Sequence, residues 1–179
     1  ENDMNVAREA RDTLIFERVV AETGWIELPA NGLRLFGAMA RSVQMAGALE
    51  YLTTQSVAYA NERTQFGKPI GKFQAIQQQL AVLSTQSAAA GIAAAHACAA
   101  ADKGEAAFEI AVAKVRATSI AHQVHGAIGF TYEHGLHFAT RRLWAWRAEF
   151  GSGAEWAEEL GRAAMERGAD ELWPYVTGR

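Results

Sequence analysis

ERTQFGKPIGKFQAIQQQ, residues 62–79, decides how the rest of the chain is read. It sets a charged turn, two glycines and a proline between two long segments that contain no proline. Gly67 and Pro69 interrupt any helix arriving from the N-terminal side, because proline has no N–H to donate and glycine tolerates turn geometry. The glutamines after Phe73 are good helix formers, so a new helix is expected to start there. The stretch therefore reads as a corner between two helices.

Working outward, the composition agrees. The chain has 179 residues, half of them apolar, and only three prolines: Pro29, Pro69 and Pro174. That length suffices for one domain with a real core, or one domain plus a fragment of another. Upstream of the corner, Leu35, Met39, Val43, Ala46, Leu49, Thr53, Val57 and Ala60 recur at three- and four-residue steps. This spacing predicts one face of a helix of about 28 residues, roughly 42 Å long. Downstream, a second helix is expected over about 72–101, with Ile76, Leu80 and Leu83 on one side. A third follows over about 105–126, with Ala106, Ile110, Ala113, Ala117, Ile120 and Val124 in phase. A fourth spans about 136–148 and a fifth about 154–167. Short connections between long helices force antiparallel neighbours. The fold class is all-α: an up-down-up-down four-helix bundle with an extra C-terminal helix.

The first thirty residues differ. TLIFERVVAETGWIEL (13–28) reads as one or two short strands with a turn, ending at Pro29 and Asn31-Gly32. A lone hairpin is marginal in water. Residues 1–32 are accordingly expected to be a β remnant, the tail of a truncated β domain, with the bundle over 33–179. The start at Glu1-Asn2-Asp3 without methionine is consistent with a fragment or a processed product.

Several function classes are set aside. A net charge of −3 and a pI near 6.0 argue against a broad basic surface for nucleic acid. No run of about 18 apolar residues suggests a membrane span, and no signal peptide is evident. Cys98, the lone cysteine, reads as a small buried residue in a reducing compartment, which gives a cytoplasmic expectation. His122 with His125 and His134 with His137, beside Glu133, have ligand-like spacing, but the pairs flank the glycine-rich GAIGFTYEHG (126–135) with no cysteine near; no metal is expected. GSGAEW (151–156) opens like a dinucleotide fingerprint but lacks the third glycine and a preceding strand, although a helix start after small residues can hold a phosphate. No serine stands in a G-x-S-x-G setting.

The corner itself carries chemistry. Arg63, Gln65, Phe66, Lys68, Phe73 and Gln74 gather a guanidinium, amides and flat rings. An arginine fork suits a phosphate, a phenyl ring offers a face to a heterocycle, and an amide both donates and accepts. The set could serve a nucleotide cofactor, or merely cap a helix corner.

YANERTQFGKPIGKFQAIQQQLA (59–81) resembles the acyl-CoA dehydrogenase pattern Y-A-x-x-R-x-Q-F-G-x-P-I-x-x-F-Q-x-x-Q. AHQVHGAIGFTYEHGLH (121–137) is similar to that family's Q-x-H-G-x-x-G-(F/Y)-T-x-E segment. The chain thus resembles the family's C-terminal helical domain. The resemblance implies a share in an FAD site and in the oligomer core. It implies that Arg63 meets the FAD pyrophosphate, that Gln65, Phe66 and Ile70 lie along the cofactor, and that Phe73 and Gln74 lie near its adenosine end. Gln123, Gly126 and Ala127 are implied to hold the diphosphate and sugar across a subunit interface; Ala127 replaces the second glycine of the usual H-G-G. The implied reaction is α,β-dehydrogenation of an acyl-CoA thioester.

The resemblance also exposes a departure. The position of the family's catalytic glutamate aligns with Phe150, and Glu149 is one step away. The alternative position, on the first long helix, falls near Gly37. Arg141-Arg142 replaces the usual R-D, and GSGAE replaces Gly-Thr-x-Gln. The base is either Glu149 through a shifted register or missing. Such a pattern resembles members that pair with a different subunit, several of which act on sterol side-chain CoA thioesters. Three readings follow: a dehydrogenase as the full-length protein, with this piece alone inactive; a non-catalytic subunit completing a partner's FAD site; and a helical scaffold without cofactor. A homo-oligomer or a hetero-oligomer with a paralogue is expected.

Overall fold

A computed structural model describes residues 3–104, 106–128 and 136–178; over 120–128 it describes the backbone alone. Six α-helices dominate: α1 (Gly32–Glu62), α2 (Gln74–Ala101), α3 (Ala107–Ile128), α4 (Leu136–Trp146), α5 (Gly153–Arg167) and α6 (Ala169–Thr177). Helix α1 packs against α2, α3 and α4; α2 and α5 both pack on α3; α6 packs on α5. The up-down-up-down bundle read from the helix spacing is what forms.

The corner between α1 and α2 is a tight hairpin. Two-residue strands β1 (Thr64–Gln65) and β2 (Lys68–Pro69) pair antiparallel, with Gln65 opposite Lys68. Phe66 and Gly67 between them both take positive φ, 52° and 79°, the signature of a primed hairpin turn. A 3-10 turn at Ile70–Lys72 leads into α2.

The buried face of α1 is offset from the expected stripe. Leu49, Ala46 and Ala60 are buried as predicted, but Val43 and Val57 are 41% and 42% exposed. Ser42 and Ser56 are buried instead. Ser42 Oγ donates to the Ala38 carbonyl one turn back at 2.8 Å, so its hydroxyl is satisfied within the helix. A small side chain then lets a neighbouring axis come close. Ala106, just before α3, and Ile110, Ala113 and Ala117 within it are buried as the phase predicts; Ile120 and Val124 lie outside the described side chains. Cys98 is half-buried rather than fully buried.

The core has two parts. One gathers Met45, Leu49 and Leu52 of α1, Leu83 of α2, and Leu136, Leu143 and Trp146 of α4. The other joins Ala38, Ala97, Ile110, Ala113 and Trp156.

One expectation changes and one element is added. Among residues 3–31 there is no named strand, only an isolated bridge between Met4 and Ala10. The apolar residues read as strand faces are exposed, Val20 by 98% and Trp25 by 105%; with no sheet alongside, nothing pairs their backbone. At the other end, α5 forms over the span expected for the fifth helix, and a further short helix, α6, follows it. Gly168, at φ 87°, separates α5 from α6, and Pro174 sits inside the latter.

Candidate functional site

The hairpin projects the corner residues outward. Arg63, Gln65 and Gln74 are exposed, Ile70 and Phe73 half-buried, and Phe66 is 90% exposed. A phenylalanine in the left-handed region is strained, since its Cβ crowds the carbonyl that follows. The ring of Phe66 meets the edge of Phe73 with centroids 6.1 Å apart. The Lys68 ammonium lies 4.5 Å from the Phe73 ring centre, and the Arg63 guanidinium 5.9 Å from that of Tyr59. The turn is closed by Ile70 N–H donating to Arg63 O at 2.8 Å and by Gln77 Nε2 donating to Gly71 O at 2.9 Å. Arg63, Gln65, Phe66, Ile70, Phe73 and Gln74 thus stand together at one corner. Gln123, Gly126 and Ala127 fall on the backbone of α3, and their side-chain environment lies outside the described residues.

Glu149 lies in a different place. Its Oε1 accepts from Arg11 Nη2 at 2.6 Å and Nε at 3.1 Å; its Oε2 accepts from Arg41 Nε at 2.6 Å. Glu9 forms the second half of this network. Its Oε2 accepts from Trp146 Nε1 at 2.8 Å and Asn5 Nδ2 at 2.9 Å, and its Oε1 from Arg142 Nε at 3.2 Å. The N-terminal segment is thereby strapped to the end of α4. Partial burial pushes the Glu9 carboxyl up, but the hydrogen bonds from Asn5, Trp146 and Arg142, with the charge of Arg11, outweigh it and bring the pKa down to about 2. A depressed carboxylate pKa stabilises the fold fully above the ordinary value near 4.5 and loses that contribution as pH falls towards 2. Thermal unfolding followed from pH 5 to 2.5 is expected to show this loss, and Glu9→Gln is expected to flatten it. A variant as acid-sensitive as the parent would contradict the assignment.

Below the network, the Lys114 side chain is fully buried and its Nζ donates to Trp146 O at 2.8 Å. Burial lowers its pKa to about 8, the Glu149 charge works against that, and Arg41 adds to the lowering. Lys114, Arg41, Arg11 and Glu9 were not singled out by sequence reasoning. The usable signal was Lys114 itself, a cation four residues after Ile110 on an apolar stripe.

Phe150 follows Glu149 with φ 57°, and its carbonyl accepts from Trp156 Nε1 at 3.0 Å. A Cβ built on Gly37 would lie 2.3 Å from the Phe150 ring. The two positions at which the resemblance puts a catalytic glutamate therefore face each other here, and neither carries a carboxylate.

The phosphate reading of residues 151–156 meets a competing structure. Ser152 caps α5, accepting from Glu155 N–H, while its own N–H donates to Glu155 Oε2 at 2.6 Å. This capping box already satisfies the groups a phosphate would use. Gly151 is required by its φ of 100° and by Trp156 and Arg34, which a Cβ would meet within 3 Å. His137 lies against Phe138 with ring centres 4.1 Å apart, while Glu133 and His134 lie outside the described residues. No group of three or more His, Cys, Asp or Glu among the described residues could hold a metal ion. No helix among them is long and apolar enough to cross a membrane.

The fold defines a class: an all-α bundle whose α1–α2 corner carries an exposed arginine, two phenyl rings and two exposed amides. Residues 35–155 match the family model described as "Acyl-CoA dehydrogenase, C-terminal domain". The chain belongs to the acyl-CoA dehydrogenase family. It is 32% identical over 148 residues to the acyl-CoA dehydrogenase IpdE2 of Mycobacterium tuberculosis, a match covering 81% of this chain and 44% of that protein. The chain thus spans less than half the length of the curated relatives it matches first. Among solved structures it resembles the ChsE4–ChsE5 complex of Mycobacterium tuberculosis, at 26% identity and TM-score 0.67, over 76% of this chain and 40% of the other. A Tcur3481–Tcur3483 steroid ACAD variant shares the fold over 93% of this chain and 48% of its own, with TM-score 0.73 and 24% identity.

Proposed function

We propose that this chain is the C-terminal bundle of an FAD-dependent acyl-CoA dehydrogenase, and that it completes a flavin site shared with another subunit. The observation that carries the reading is the strained, solvent-facing corner at Arg63–Gln74. A phenylalanine held at positive φ and 90% exposed does nothing for its own core, and strain of this kind persists where surroundings or a ligand use it. The residues present fit a flavin nucleotide. Arg63 would hold the pyrophosphate through paired N–H donors. Phe66, Ile70 and Phe73 would pack along the cofactor, and Gln65 and Gln74 would hydrogen-bond its polar edges. Gln123 and the Gly126–Ala127 backbone would contribute from across the interface. When bound, FAD accepts the hydride that an acyl-CoA thioester loses from its β carbon.

Geometry favours sharing between subunits. Arg63 and Arg41 lie 22 residues apart on or beside α1, about 33 Å along its axis. One chain therefore keeps its own corner far from its own Phe150 loop.

A second reading, a non-catalytic subunit of a heteromer, is favoured by the Phe150–Gly37 contact and by the commitment of both Glu149 oxygens to arginines. A base must present a free lone pair to the proton it takes. On this reading the partner supplies the glutamate, and residues 1–32 are the tail of a β domain of the complete protein. The ChsE4–ChsE5 relative is described as a complex of two named components, which supports a paired assembly.

The test is flavin retention in the complete protein with its partner. Losing charge-assisted hydrogen bonds costs about 1.5–3 kcal/mol, so Arg63→Ala is expected to weaken FAD binding about 10- to 150-fold. The flavin-to-protein absorbance ratio after gel filtration reads this directly. An unchanged ratio would sink the proposal.

A further inference from the structure

A cavity of about 660 Å³ opens at the other end of the bundle, between the start of α1, the first turn of α3, α5 and α6. We propose that it binds a small-molecule carboxylate with a flat apolar body. It lies about 45 Å along α1 from the Arg63–Gln74 corner of the same chain, and its wall residues Arg34 and Trp156 adjoin the Phe150–Gly151 loop. Its volume lies within the range of small-ligand sites, about 300–1,000 Å³.

The argument begins with two guanidiniums. Arg34 and Arg167 both line the cavity, and each is laid on an aromatic face: Arg34 is 4.0 Å from the centre of Trp156, and Arg167 is 3.9 Å from that of Tyr175. Stacking fixes the plane of a guanidinium and leaves its N–H edge free to donate. Arg34 is already paired with Glu159 at 2.7 Å. Arg167 has no carboxylate partner among the described residues. Among the described lining residues, Arg34 and Arg167 are cationic and Glu159 anionic. The Arg167 fork matches the two oxygens of a carboxylate.

Two further groups point the same way. Asn31 lines the cavity at φ 62° and makes no side-chain cap for α1, so its amide is available to the ligand. The first turn of α3 forms another part of the wall, preceded by Ala106, a residue with no side chain to cap it. Phe108, Leu160 and Tyr175 supply the apolar remainder; Phe108 and Tyr175 meet edge to face at 4.8 Å. An aromatic or alicyclic ring fits between such surfaces.

The experiment is calorimetric titration of the complete, FAD-loaded protein with 2-naphthoate and with its neutral counterpart 2-naphthamide. Expected are one naphthoate per chain, binding at least tenfold weaker for the amide, and an unchanged flavin spectrum. Arg167→Gln alters an exposed side chain at a helix end and is expected to weaken naphthoate at least tenfold while leaving naphthamide unmoved. The proposal is overturned if neither compound binds, if acid and amide bind alike, or if Arg167→Gln changes nothing. Should the variant fail to fold, the acid-against-amide comparison on the parent protein decides alone.

Discussion

Glu149→Gln is expected to destabilise the protein by about 3 kcal/mol and to leave flavin reduction by an acyl-CoA in place. The first half follows from the network. Glu149 takes three short hydrogen bonds from Arg11 and Arg41, with its own side chain 21% exposed and that of Arg41 18% exposed. Removing one member of a buried ion pair costs about 3–5 kcal/mol because the remaining charge is left desolvated. Partial exposure brings the figure to the lower end. The second half follows from the same contacts: a carboxylate held by two guanidiniums is an anchor, and proton abstraction needs it unencumbered. Urea unfolding supplies the stability change, and anaerobic flavin bleaching in the complete complex supplies the chemistry. A double-mutant cycle with Arg41→Gln is expected to show coupling above about 0.5 kcal/mol, as residues in direct contact do. Abolished bleaching with unchanged stability would reverse the assignment and restore Glu149 as the base.

The second large effect is alkaline stabilisation through Lys114. Its folded pKa is near 8 against an ordinary 10.5, chiefly because burial disfavours the ammonium. Below pH 8 both folded and unfolded chains carry the proton, and the folded state bears the full cost of a buried charge. Between pH 8 and 10.5 the unfolded chain binds more protons than the folded one, so stability rises with pH. At about 1.4 kcal/mol for each tenfold change in proton affinity, the gain approaches 3 kcal/mol. Unfolding free energies measured at pH 7.5 and pH 10 are expected to diverge accordingly. In Lys114→Met that rise should vanish, which separates Lys114 from the other lysines and tyrosines that titrate in the same range. Parent and variant rising equally would refute the claim.

Lys114 also bears on the geometry of the loop. Its ammonium donates to the carbonyl of Trp146, the last residue of α4, where a cation complements the negative helix end. The loop that leaves α4 there carries Glu149 and Phe150. The same lysine that titrates therefore holds in place the segment that carries Glu149 and Phe150.

Legibility in the sequence followed the range of the interactions. The five long helices and the corner between α1 and α2 were readable because periodicity, proline and glycine act over a few residues. The exposed residues of that corner were readable from their chemical mix and from the family resemblance. The serines on the buried face of α1 were not, since hydropathy ranks Ser42 below Val43. For Ser42 the hydroxyl returns to its own helix backbone, which makes its burial cheap. Residues 13–28 misled for a related reason: their side chains suit a strand, but a strand also needs a partner.

By itself the sequence determined the helical bundle, the place of its corner, the family, and the loss of a carboxylate at Phe150 and Gly37. Only the tertiary structure decided that those two positions touch, that Glu149 is bound by Arg11 and Arg41, and that Arg34 and Arg167 share one cavity. Each of these pairs is separated by more than a hundred residues. Local propensity fixes the direction of each helix, whereas which side chains meet across helices depends on how the axes pack, and no periodicity records that.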